Sequence, residues 1–213
     1  MKDGYMNHQE TTHSRSYNFN MEVSEYFDAP LYYRKGYTTL SNERAIELAV
    51  AKNYIESIRG NNHTSTEVGA VLPYYIENDI FFCIDPTDKK ADSNEGAENY
   101  CFSNHNVLSI STFEHIGNGD YGMKKVPGLA YASLKRVYGE CHTCLISWPI
   151  GFNPELDNQV KNDENLPRFF YRRGLENGKL KWELTLDDTG FNARYGRPFQ
   201  NGNSIIFITK GLS

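Results

Sequence analysis

The sequence predicts an α/β fold in which a mostly parallel sheet carries helices on both faces. Three observations predict it. Several short segments, among them IFFCI, NVLSI, CLISW and SIIFIT, are continuous apolar runs, the pattern of strands covered on both sides. These runs alternate with stretches of helical spacing, as strand–crossover–strand units do. The third is size: 213 residues with 39% hydrophobic and 23% charged side chains suit one globular domain with its own core.

Taken in order, residues 1–20 are polar, rich in Asn, His, Ser and Thr, and read as a mobile arm. Residues 21–213 read as one domain, with 21–60 a helical lid and 61–213 the core. A helix is expected over Ser41–Ser57, where Ile46, Ala49, Val50, Asn53 and Tyr54 keep three-four spacing; Ser41 suits the N-cap and Arg59-Gly60 the stop. Strands are expected at Ser65–Val68, Ile80–Ile84, Asn106–Ser111, Thr143–Trp148, Lys181–Leu186 and Ser204–Thr209. Between the third and fourth, GLAYASLKRVYG reads as a helix closing at Gly139. Arg168, Arg172 and Arg173 read as one solvated helix face, with a local basic patch the alternative. No internal repeat is evident.

Composition narrows the function classes. A net charge of −5 and a pI near 5.7 argue against nucleic-acid binding, which favours a basic face. No stretch reaches the roughly 18 apolar residues of a membrane span. The first twenty residues lack the apolar segment of a signal peptide, so a cytoplasmic location is expected. The four cysteines, Cys83, Cys101, Cys141 and Cys144, read as buried thiols of a reducing compartment. Cys141 and Cys144 form a C-x-x-C, but no second pair completes a zinc site.

In an open parallel sheet, ligands bind beyond the carboxyl ends of the strands, so the residues just after each strand carry the chemistry. The first strand ends in Glu67-Val-Gly69, an acid followed by a glycine that admits close backbone approach. The second ends at Asp85, where a carboxylate can accept hydrogen bonds from both ribose hydroxyls of a nucleoside. Eighteen residues separate the two acids, near the roughly 20 between glycine turn and ribose acid in dinucleotide folds. The third strand breaks into Ser111-Thr-Phe-Glu114-His115 and a glycine-rich loop. Glu and His together at the mouth of a sheet are hard to explain by packing, because a half-buried charged pair is costly. The fourth opens into the polar WPIGFNPELD.

These stretches, with Glu95-Gly96-Ala97, ISTFEHIG, the upstream YTTLSNERAIELAVAKNYI and the downstream RYGRPFQNGNSIIFITKG, resemble small class I S-adenosylmethionine-dependent methyltransferases. The nearest likeness is to sugar O-methyltransferases of bacterial polysaccharide clusters and large algal viruses, from about Tyr37 to Lys210. The resemblance implies a Rossmann-like, mostly parallel seven-stranded sheet. It also implies a reaction, methyl transfer to a sugar hydroxyl of a glycan or glycan precursor, leaving S-adenosylhomocysteine. By the same resemblance Glu67 and Gly69 would meet the methionine moiety and Asp85 the ribose. Glu95, Gly96 and Ala97 would line the adenine, Ser111 to His115 would lie beside the methyl, and Tyr37, Asn153 and Asp157 would face the acceptor. Two departures from the pattern stand out: Ala70 and Val71 replace further glycines, and Gly96 stands where an acid is usual.

A hydroxyl becomes a good nucleophile only as its proton leaves, and histidine, with an ordinary pKa of about 6.5, is the usual base. His115 is the candidate base, with Glu114 or Asp120 fixing its tautomer. A rival role makes Glu114 and His115 ligands of a divalent ion with Asp120, Asn153 or Asp157. It is not favoured, because Ser111 stands where a further carboxylate would be, and one carboxylate with one imidazole is a poor Mg²⁺ site. A catalytically degenerate cofactor-binding module is a second function class. A nicotinamide or nucleotide-sugar enzyme is disfavoured by the lack of G-x-G-x-x-G. The expected partners are a carbohydrate or other small acceptor, with no nucleic acid and no membrane, in a monomer or homodimer.

Overall fold

Each strand in the interior carries side chains to two opposite faces, and both faces here are covered. The computed structural model describes residues 18–20, 31–33, 42–75, 80–177 and 179–211. Asn18–Asn20 (β1) and Leu31–Tyr33 (β2) pair as a small antiparallel ribbon. Helix Arg44–Ile58 (α1) follows, and then the main sheet. Its strands are Thr64–Val68 (β3), Phe81–Ile84 (β4), His105–Ile110 (β5), Thr143–Pro149 (β6), Arg168–Glu176 (β7), Lys179–Thr185 (β8) and Ser204–Lys210 (β9). Helices Leu129–Glu140 (α2) and Pro154–Lys161 (α3) flank β6 in sequence.

The order across the sheet is β4-β3-β5-β6-β9-β7-β8. The ladders joining β4, β3, β5 and β6 are parallel; those joining β6, β9, β7 and β8 are antiparallel. The sheet is therefore α/β and seven-stranded but mixed, parallel in its first half only. No helix among the described residues is long and apolar enough to cross a membrane.

The period-two alternation of strand side chains divides the core. In β9, Ile205 and Phe207 join one cluster while Ile206 and Ile208 join the other. The first cluster packs α1 (Ile46, Val50, Tyr54) on Leu108, Leu145 and Tyr171. The second packs α2 (Leu134, Val137) and α3 (Leu156, Val160) on Val107, Ile146 and Phe170. In α1, ten of fifteen residues are buried, so most of this helix is a core layer, and only its first turn reaches the cleft described below. Ser41 lies outside the described residues; Asn42 Oδ1 accepts the Arg44 backbone N–H at 3.1 Å.

Other sequence expectations shift. The arginines lie on a strand, not a helix. In β7, Arg168 pairs with Asp188 at 3.0 Å and donates to the carbonyls of Val160 and Asp163, Arg173 donates to the Gln200 carbonyl, and Arg172 is exposed. Helix α2 runs through Gly139 to Glu140, where the Cys141 N–H bonds the Val137 carbonyl. The loop expected after β6 contains α3. Cys83, Cys141 and Cys144 are buried, whereas Cys101 is exposed. Of the arm, 1–17 lies outside the described residues and 18–20 is strand β1.

Candidate active site

The chain runs from β3 to β4 on one side, then returns across β3 to β5 on the other. That reversal splays the loops apart at the carboxyl ends and leaves a crevice, the usual ligand site of open α/β sheets. Here the crevice is a cleft of about 480 Å³, within the range of small-molecule sites.

One wall is the turn after β3. Gly69 has φ +87°, and a Cβ there would land on the Thr112 side chain of the neighbouring strand end; the close approach at the reversal requires glycine. Asp85, just after β4, tightens the adjoining loop. Its Oδ2 accepts from the Ala70 N–H at 3.2 Å, and its Oδ1 from the Thr87 N–H and hydroxyl and the Asp88 N–H at 2.8–3.0 Å. With about four lone-pair sites on a carboxylate, Oδ2 retains room for a ligand hydroxyl. Gly96 and Ala97 line the same end.

The opposite wall follows β5. Ser111 leaves the strand at φ +43° and donates to Glu47 on α1 at 2.8 Å. His115 Nδ1 lies 2.8 Å from Asp120 Oδ2, and its ring meets Phe152 and Tyr121 at centroid distances of 4.7 and 5.1 Å. A carboxylate at Nδ1 favours the tautomer with hydrogen there, leaving Nε2 as an acceptor. Burial would lift the Asp120 carboxyl, but the hydrogen bonds from His115 and Asn118 outweigh it and hold it below its ordinary range. Glu114 is 1% exposed; burial, reinforced by Glu47, pushes its carboxyl well above the carboxylate range. His115 Nε2 stands 3.8 Å from Glu114 Oε1.

Gly69, Asp85, Gly96, Ala97, Ser111, Glu114 and His115 thus share one cleft, with Asp120 behind His115. Four other expected residues do not line it. Glu67 is fully buried beneath the turn, where Oε1 accepts the Val71 and Leu72 N–H groups at 3.0 and 2.7 Å; it holds the loop's shape rather than a ligand. Glu95 is exposed, one residue short of the wall. Asp157 spends both oxygens inside the protein, on Trp148 Nε1 at 2.9 Å and the Gly151 N–H at 2.7 Å. Asn153 caps α3 through the Leu156 N–H and donates from Nδ2 to the Glu114 carbonyl at 3.0 Å. Its place is behind the His115 loop, not in front of an acceptor. Tyr37 lies outside the described residues.

Sequence reasoning missed Glu43 and Arg44 at the N-terminal end of α1, Glu98 just past Ala97, and Tyr121 at the rim, all of which line the cleft. Glu98 was legible as an acid two residues past Gly96. Nothing local marks Glu43 and Arg44, because only tertiary packing brings α1 to the strand ends. Among the described residues no group of three or more His, Cys, Asp or Glu side chains could hold a metal ion. No family model, no curated protein and no solved structure matches the chain.

Proposed function

We propose that this protein is an S-adenosylmethionine-dependent O-methyltransferase acting on a sugar hydroxyl, with a Rossmann-like fold. The observation that carries the reading is one cleft at the sheet's reversal point with an acid for ribose at one end and a histidine backed by a carboxylate at the other. The nucleoside would lie along the ends of β3 and β4, its hydroxyls on Asp85 Oδ2, its base between Ala97 and the loop of Gly96, where Glu98 offers an acceptor to an exocyclic amine. The methyl would then face His115.

Transfer is an in-line displacement: the acceptor oxygen bonds to the methyl carbon as the carbon–sulfur bond breaks, and its electron pair leaves on sulfur. His115 Nε2 takes the hydroxyl proton, and Asp120 steadies the imidazolium that forms. Much of the rate comes from holding oxygen, carbon and sulfur in line; the base adds the usual 10²–10⁴-fold. The Tyr121 ring, which lines the cleft beside His115, would offer a face on which a sugar ring packs.

A binding module without turnover is the second reading, favoured by Ala70 and Val71, which stand where the resemblance would place further glycines. Titration calorimetry with S-adenosylhomocysteine and methyl transfer from labelled S-adenosylmethionine across a glycan panel test both. The Asp85→Ala variant should weaken binding by about 1.5–3 kcal/mol, the scale of a lost hydrogen bond to a charged group. Binding without transfer selects the module, and no binding by the wild type sinks both readings.

A further inference from the structure

Three carboxyl groups share one guanidinium at the inner end of the cleft. On α1, Arg44 Nη1 pairs with Glu47 Oε2 at 2.9 Å, and Glu47 is further satisfied by the hydroxyls of Ser111 and Ser147. Glu43, 8% exposed, accepts the Gly202 N–H at 3.0 Å. The third is Glu114, whose Oε2 is buried with no hydrogen-bond partner among the described residues. Arg44 and Glu47 pair with each other, and among the described residues no Lys or Arg forms an ion pair with Glu43 or Glu114.

Leaving a buried carboxyl oxygen unpaired is costly, and each such orphan in a folded protein calls for an explanation, a bound ion or ligand group among them. Here the orphan borders the cleft. We infer that the inner end of this cleft is a primary-ammonium subsite in which Glu114, flanked by Glu43 and Glu47, receives the positively charged amine of a bound molecule. The groups facing Glu114 are Glu43, Arg44 and Glu47 from α1, His115 and Tyr121 from the segment after β5, and Tyr195 from the loop before β9. Burial raises the Glu114 carboxyl well above its ordinary range, and the exchange balances as follows: the ammonium enters with its charge, Glu114 stands as a carboxylate against it, and any proton the carboxyl held leaves to solvent.

The ammonium has two sources, the amino-acid end of the nucleoside sulfonium or an amine on the acceptor sugar. Only the first rests on the methyltransferase reading. Calorimetry in two buffers of different ionisation enthalpy at pH 7 separates them, using wild type and Glu114→Gln. One probe pair is S-adenosylhomocysteine and its deaminated counterpart; the other is glucosamine and glucose, with and without the nucleoside. The expected result is at least tenfold tighter binding of the amine in one pair, with proton release, and loss of both preference and release in Glu114→Gln. Preference in the first pair assigns the ammonium to the cofactor, and in the second to the acceptor. If neither nucleoside binds while glucosamine is preferred with proton release, the methyltransferase reading fails and the subsite stands. No preference in either pair, or a preference unchanged in Glu114→Gln, overturns the subsite. Should Glu114→Gln fail to fold, the wild-type preference for the amine decides, and its absence is equally fatal.

Discussion

Replacing His115 by alanine should leave S-adenosylhomocysteine affinity nearly intact and lower methyl transfer by about 10²–10⁴, the range for a lost general base. Asp120→Asn should lower the rate too without weakening cofactor binding, since an amide no longer fixes the Nδ1 hydrogen. Full rate in His115→Ala would reduce the residue to a packing role against Phe152. A different residue makes stability depend on pH. Burial lifts the Glu67 carboxyl from its ordinary 4.5 to about 8, against the pull of the Leu72 and Val71 amides, so the folded chain holds this proton more tightly than the unfolded one. The resulting stabilisation is complete below about pH 4.5 and is lost as pH rises through 8. Denaturant midpoints measured between pH 5 and 8 should therefore fall in the wild type and fall less steeply in Glu67→Gln; equal slopes would refute the assignment. Glu67 and Asp85 were both legible as strand-end acids. Their division of labour was not, because Glu67 and Asp85 look alike in sequence and differ only in which side of a turn they face.

Asn153 joins two elements, capping α3 with one end of its amide and holding the Glu114 carbonyl with the other. Asn153→Ala should cost about 1 kcal/mol of stability for the cap and slow transfer by loosening the His115 loop. Asn153→Asp keeps the cap acceptor and loses the donor, so thermal unfolding should recover toward wild type while the rate does not; recovery of both would confine Asn153 to capping. Elements declared themselves unevenly in the sequence. β5, β6 and β9 were plain as apolar runs because both their faces are buried. β7 was hidden by Arg168, Arg172 and Arg173, which make ion pairs, carbonyl bonds or solvent contact along a strand nearer the sheet's edge. In α3 only Leu156 and Val160 are apolar and buried, a single i,i+4 pair too sparse to outweigh Pro154 and its polar neighbours.

For the whole molecule, EDTA should leave methyl transfer unchanged, since no described cluster assembles three metal ligands; loss of turnover restored by Mg²⁺ or Mn²⁺ would instead make Glu114 and His115 ligands. The layered plan was readable from alternating apolar segments, but the mixed pairing of the second half was not, since a run such as SIIFITK is equally apolar in either direction. That pairing has a consequence during synthesis. β9 lies between β6 and β7, bonded to both, yet it is the last of the three to be made. From Pro149 to Lys210, at about 5–20 residues per second, the nascent chain would spend roughly 3–12 seconds with β6 open along one edge. During that interval Leu145, Ile146 and Trp148 present an unclosed template to any passing strand. Chaperone engagement of ribosome-bound intermediates should accordingly peak after β6 emerges and end abruptly once residues 204–210 dock.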